Sequence, residues 1–143
     1  MLQTAIDLLN AESLTCVILG KSQTLRFRLR GIRPLTDTLR DCPEALKDAF
    51  VADRIIGKAA AMLAVAGGAK AVYGEVMSES GLQMLQSHGI EAQYGTLTAA
   101  IRNRENTGLC PMEQTVLTLD DPKDALPALL QTLRRLAERK NEQ

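Results

Sequence analysis

The chain reads as an α/β protein: a mixed sheet with helices on both faces, three layers in all. Two observations predict this. A β-hairpin near the start supplies an antiparallel pair, and the strand–helix–strand units after it require parallel pairs. At 143 residues, 45% hydrophobic and 24% charged, the chain makes one domain, 1–143, long enough to bury a real core.

Residues 2–11 carry Leu2, Ala5, Ile6, Leu8 and Leu9, a helical stripe. "LTCVILG" is short and nearly all apolar, as expected of a buried central strand. In "TLRFRLR", Leu25, Phe27 and Leu29 alternate with Arg26, Arg28 and Arg30, the pattern of a half-buried strand. "GKSQ" between them has hairpin length. "GIRPLTDTLRD" is a polar connection with room for some helix, and "CPEALKDAF" opens with proline in a first-turn context, so a short helix is expected. A long helix is predicted from about Asp53 to Ala66, stopped by Gly67-Gly68, with Ile55, Ile56, Ala59, Ala60 and Leu63 on its apolar face. "AKAVYGEVM" is the third strand. "SESGLQMLQSHG" is a helix with Ser78 as its N-cap and Gly89 beyond its end, and "IEAQYGTL" is the fourth strand. A polar loop leads to a helix opened by Cys110-Pro111. The last helix carries Leu126, Leu129, Leu130, Leu133 and Leu136 on one stripe, with Pro127 in its first turn.

Totals exclude several functions. Seventeen basic residues balance seventeen acidic ones, so no global field holds the chain on nucleic acid or on an anionic membrane. Two Phe, two Tyr and no Trp make a poor base-stacking platform. The longest apolar run, Ala59–Ala66, is far too short to span a bilayer, and the N-terminus lacks a basic signal-peptide region. Cys16, Cys42 and Cys110 are odd in number and widely spaced. A reduced, cytoplasmic compartment is expected.

The chemistry concentrates in "NRENTGLCPMEQTVL" (103–117). With Pro111 as first helical residue, Cys110 is the N-cap and Glu113 the third residue. A carboxylate there can reach back to the N-cap N–H, as in a capping box with sulfur for hydroxyl. Serine or threonine would cap better, and the dipole at a helix N-terminus favours a thiolate. The structural alternative has equal weight: free cysteines are mostly small buried hydrophobes, and Glu113 is then a capping residue only.

A cysteine at a helix mouth after this mixed strand–helix order resembles the cytidine-deaminase-like fold. There a Cys-x-x-Cys turn and a His-x-Glu turn, each at a helix N-terminus, hold a catalytic zinc. More closely, "VADRIIGKAAAMLAVAGGAKAVYGEV" (51–76) and "GIEAQYGTLTAAIRNRENTGLCPMEQTVL" (89–117) resemble the uncharacterised bacterial family called domain of unknown function 1893. That likeness implies the deaminase-like fold. The zinc motifs, however, are altered. Glu113 stands where the second cysteine would be, no His-x-Glu occurs, and the sole histidine, His88, ends a different helix. Asp53 lies where a zinc ligand would be expected, followed by Lys58. Zinc prefers Cys and His donors, so no metal and no cofactor is expected.

The remaining candidates have paired readings. Asp53 is a helix cap or a site residue. Lys58 snorkels or points at an anion between helix mouths. Arg102, Asn103, Arg104, Thr107 and Gly108 are a solvated loop or a clamp for carboxylate or phosphate. Arg26, Arg28 and Arg30 read as a solvated strand face, Cys16 as inert core, His88 as a helix C-terminal donor, and Cys42 as a second Cys-Pro cap. Three functions follow. The first is binding of a small polar or anionic molecule, nucleotide-like, near Cys110 and Asp53. The second is a cysteine enzyme with Cys110 as nucleophile, assisted by Glu113, Asp53 or Lys58. The third is an interaction module whose leucine helix meets a partner or a second copy in a homodimer.

Overall fold

In the computed structural model, which describes residues 1–142, the first helix, α1 (Leu2–Ala11), runs into a hairpin. Strands β1 (Cys16–Leu19) and β2 (Thr24–Phe27) pair antiparallel, and the Gly20 N–H closes the turn on the Gln23 carbonyl at 2.9 Å. The polar connection then folds as α2 (Arg33–Asp41), and the segment after Cys42 makes only a 3-10 turn, Pro43–Ala45.

The next element overturns an expectation. Residues 50–56 are a strand, β3 (Phe50–Ile56), and the helix α3 begins only at Lys58 and ends at Gly67. The sheet therefore has five strands, one more than the pattern shows. Because β3 is interior, residues on both its faces are buried: Phe50 and Ala52 lie in the α1 layer while Val51 lies in the other core. Such a strand has no apolar–polar alternation. The spacing of Ile55, Ile56, Ala59, Ala60 and Leu63 then imitates a helical face across the strand–helix junction. Gly57 is that junction. Ile55, assigned to the helix face, is instead 53% exposed on the strand.

Strand β4 (Ala71–Ser78) follows, then α4 (Glu79–Ser87), β5 (Glu91–Thr98), α5 (Pro111–Val116) and α6 (Ala125–Glu142). The Ser78 hydroxyl accepts the Gly81 N–H at 3.0 Å, which caps α4 as expected. His88 holds the other end of α4, with Nδ1 2.9 Å from the Met84 carbonyl. At the end of α3, Gly68 takes the left-handed conformation (φ 80°) that only glycine adopts freely. Sheet order is β2-β1-β3-β4-β5, with β1 antiparallel to both its neighbours and β3, β4 and β5 parallel.

Among the described residues, helix α1 alone covers one face, through Ala5 and Leu9 against Val17 and Ala52. The other face carries the larger core. Ala59 through Ala64 of α3 are all buried, because the sheet lies on one side of this helix and α5 and α6 lie over the other. The terminal helix puts Ala125 and Leu129 fully into that core and Leu126 partly, while Leu136 is 36% exposed. Its leucine stripe is thus spent on this domain over its first half. No helix among the described residues is long and apolar enough to cross a membrane.

Candidate functional site

Strand β3 ends where the sheet changes character. On one side it pairs parallel with β4; on the other it pairs antiparallel with β1. A cleft opens at this end, outside the carboxyl end of β3. The cleft encloses about 440 Å³. Its floor is Asp53 and Thr15. Its apolar walls include Ile32, Ile55, Ala59, Ala60, Ile101 and Met112, and Cys110 and Glu113 line it from α5. Arg30, Arg102 and Arg104, all exposed, stand around its mouth.

Asp53 sits in register with Cys16 across the β1–β3 pair and is 7% exposed. Its Oδ1 accepts the Ile55 N–H at 3.2 Å. Burial pushes its carboxyl up to about 7. The Ile55 and Arg54 N–H groups, the Cys16 thiol and the Arg54 charge pull the other way without cancelling the effect. A carboxyl of this kind exchanges a proton near neutrality, which is unusual and marks functional sites more often than other places. The same contact pushes the Cys16 thiol well up, first through burial and then through the Asp53 charge. Cys16 is therefore core, as expected, but it also forms the back of the Asp53 pocket. Asp53 itself caps no helix, since α3 starts five residues later.

Glu113 has a different partner from the one its spacing suggests. It does not reach back to the Cys110 N–H, which bonds the Ile101 carbonyl at 3.0 Å. Its carboxylate instead caps the neighbouring helix, α3. Oε1 accepts the Lys58 N–H at 2.8 Å and Oε2 the Ala59 N–H at 2.9 Å. The side chain is 8% exposed, so the two amides take the place of water on a buried charge. The approach requires glycine at 57: a Cβ there would stand 2.6 Å from Glu113 Cδ and 2.8 Å from Oε2. Two helix N-termini thus meet at one carboxylate.

Cys110 is the N-cap residue of α5, half-buried on the cleft wall, and its side chain makes no capping bond. Lys58 turns away, its ammonium donating to the Leu117 carbonyl at 3.2 Å. Asn103, Thr107 and Gly108 build the loop rather than line the cleft. Asn103 Oδ1 accepts the Thr107 N–H at 2.9 Å, and the Asn103 N–H donates to the Gly108 carbonyl at 2.9 Å. Arg102 donates through Nε to Asn106 Oδ1 and pairs as a bridge with Leu109, which brings its side chain to the cleft mouth. The alternation in the sequence groups Arg30 with a solvated strand face. The strand ends at Phe27, however, and Arg30 follows it into the cleft with Gly31 and Ile32. The signal for this was the "GIRP" break, which turns the chain at the sheet end.

These residues do not fit a tetrahedral zinc. Both Glu113 oxygens are taken by backbone N–H groups, Asp53 Oδ1 is taken by Ile55, and Cys110 is the one thiol among the described residues that line the cleft. No group of three or more His, Cys, Asp and Glu side chains with metal-binding geometry exists among the described residues.

No curated protein matches the chain. Among solved structures, it resembles the crystal structure of a DUF1893 family protein, TM1506, from Thermotoga maritima. The two are 21% identical with a TM-score of 0.81, over 91% of this chain and 88% of that one. The fold is therefore shared. The family model described as "TM1506: Domain of unknown function (DUF1893)" matches residues 4–133, which is nearly the whole length, and the chain belongs to that family.

Proposed function

We propose that the protein is a bacterial, cytoplasmic, zinc-free member of the deaminase-like group that binds a small anionic, nucleotide-like molecule in the Asp53–Cys110 cleft. One observation carries this reading. The cleft combines apolar walls, a buried carboxyl on its floor and three arginines at its mouth. Apolar walls suit a flat ring. A half-protonated Asp53 can donate to or accept from a ring edge. Guanidinium groups recognise phosphate or carboxylate by paired N–H bonds. The meeting of two helix N-termini beside the cleft supports the deaminase-like part of the reading.

Thermal shift with the four ribonucleoside 5′-monophosphates, their nucleosides and inorganic phosphate tests it. At about 100 times Kd, a ligand stabilises by about 2.7 kcal/mol, a readily measured rise in Tm. At least one monophosphate should stabilise more than its nucleoside, and Arg102→Ala with Arg104→Ala should abolish that difference. No shift with any of them would remove the proposal.

A second reading has one observation behind it: the Cys110 thiol faces the cleft without a capping bond. On this reading Cys110 is a nucleophile toward the bound molecule. Mass analysis for a covalent adduct after incubation, lost in Cys110→Ser, decides it.

A further inference from the structure

We propose that the β5 edge is an interface to a second copy of the chain, the two β5 strands pairing antiparallel about a two-fold axis. The sheet has two open edges, and they are built differently. Strand β2 is four residues long and has Arg26 on it and Arg28 just beyond. Short length and basic side chains are the usual defences of an edge strand. Strand β5 is eight residues, EAQYGTLT, bonded only to β4. It holds no proline, lysine or arginine, and its one charge, Glu91, lies at its first position. Six of the eight residues are exposed, Tyr94 to 44% and Leu97 to 37%. A long, neutral, unguarded edge offers a row of free N–H and C=O groups to another strand.

The charge pattern suits a second copy and sets its direction. In an antiparallel pair the two Glu91 residues stand at opposite ends of the interface, each near the uncharged Thr98 end of the other copy. A parallel, in-register pair would place Glu91 on Glu91, and like charges directly opposite repel. The antiparallel pair also closes on itself, so the assembly stops at two. The sheet surface beside the edge is free to join, because α1 covers β1 and β3 and reaches β4 only in part. One strand pair of eight residues a side is a small interface, of the class that transient complexes use, so the pair is a reversible one.

Sedimentation velocity on the full chain, from about 1 to 500 µM, should show monomer passing to dimer, the range being that of a small interface. Thr96→Lys, on an exposed position, should hold the chain monomeric throughout, with the Tm of the unaltered protein at about 1 µM where both are monomers, whereas Arg28→Gln near the other edge should leave the dimer intact. Amide exchange of the unaltered protein is an independent measure. The β5 peptide should gain protection at high concentration and the β2 peptide should not. A monomer at every concentration overturns the proposal. So does a dimer that forms without protecting β5, or an assembly that grows beyond two.

Discussion

Burial pushes the Asp53 carboxyl from an ordinary 3.8 up to about 7. Between those values the folded chain keeps a proton that the unfolded chain has released. Stability from Asp53 is therefore full below 3.8 and lost as pH rises through about 7, on the order of 3–5 kcal/mol in all. Urea midpoints should fall from pH 5 to pH 8, and Asp53→Asn should remove most of that slope. A steeper slope in the variant would contradict the assignment. The cysteines differ at the same scale. The Cys16 thiol is pushed up by burial, and the Cys42 thiol by its hydrogen bond to Glu44, at 3.1 Å. Cys110, half-exposed on the cleft, has no carboxylate bonded to its sulfur. Limiting iodoacetamide near neutral pH should label Cys110 first, as peptide mass mapping would show. From the sequence, Asp53, Cys110, Glu113 and Arg102 were legible as candidates, and the fold brings these four to one cleft. What was not legible was the reach of Glu113 across to another helix. Capping arguments use spacing along one helix, and this cap bridges 55 positions of sequence to Lys58.

That bridge has a consequence for the two helices it joins. Glu113→Ala leaves the part-buried Lys58 N–H and the buried Ala59 N–H without this acceptor, which should cost about 1–3 kcal/mol in chemical denaturation. Glu113→Gln keeps one acceptor and should cost less. Gly57→Ala should destabilise strongly beside Glu113 and much less in a Glu113→Ala background, because the clash disappears with the carboxylate. Additive effects in that cycle would refute the contact. Most elements were legible because their ends carry local signals: Ser78 before α4, Pro111 at α5, Gly68 after α3. Strand β3 carries none of these at its start. Its apolar run merges with the alanines of α3, and only its pairing with β1 and β4 shows it to be a strand.

For the molecule as a whole, α6 divides into a half that holds the core and a half that does not. Ala125 and Leu129 are fully buried, and residues 134 to 141 are exposed. Removal of the chain from Asp121 onward should unfold the protein, since each fully buried leucine contributes roughly 1.5–3 kcal/mol. A cut after Leu133 should lower Tm by only a few degrees. Circular dichroism melts of the two truncations check this, and similar losses in both would contradict it. The sheet imposes a second division. Successive residues of a strand point to opposite faces, so Asp53 looks into the cleft while Arg54 looks into the α1 layer. Its guanidinium donates to the Leu9 and Leu14 carbonyls, each at 2.9 Å, to Asn10 Oδ1, and to Glu75 Oε2 at 2.8 Å. One side chain thus clasps the end of the helix that covers that face. Limited proteolysis of Arg54→Ala should cut first between α1 and β1, and the sheet face bared there should bind a hydrophobic dye. Nucleotide binding on the far side should persist until the whole domain melts. Adjacent residues of one strand then govern separate breakdowns, one of the scaffold's outer cover and one of the cleft.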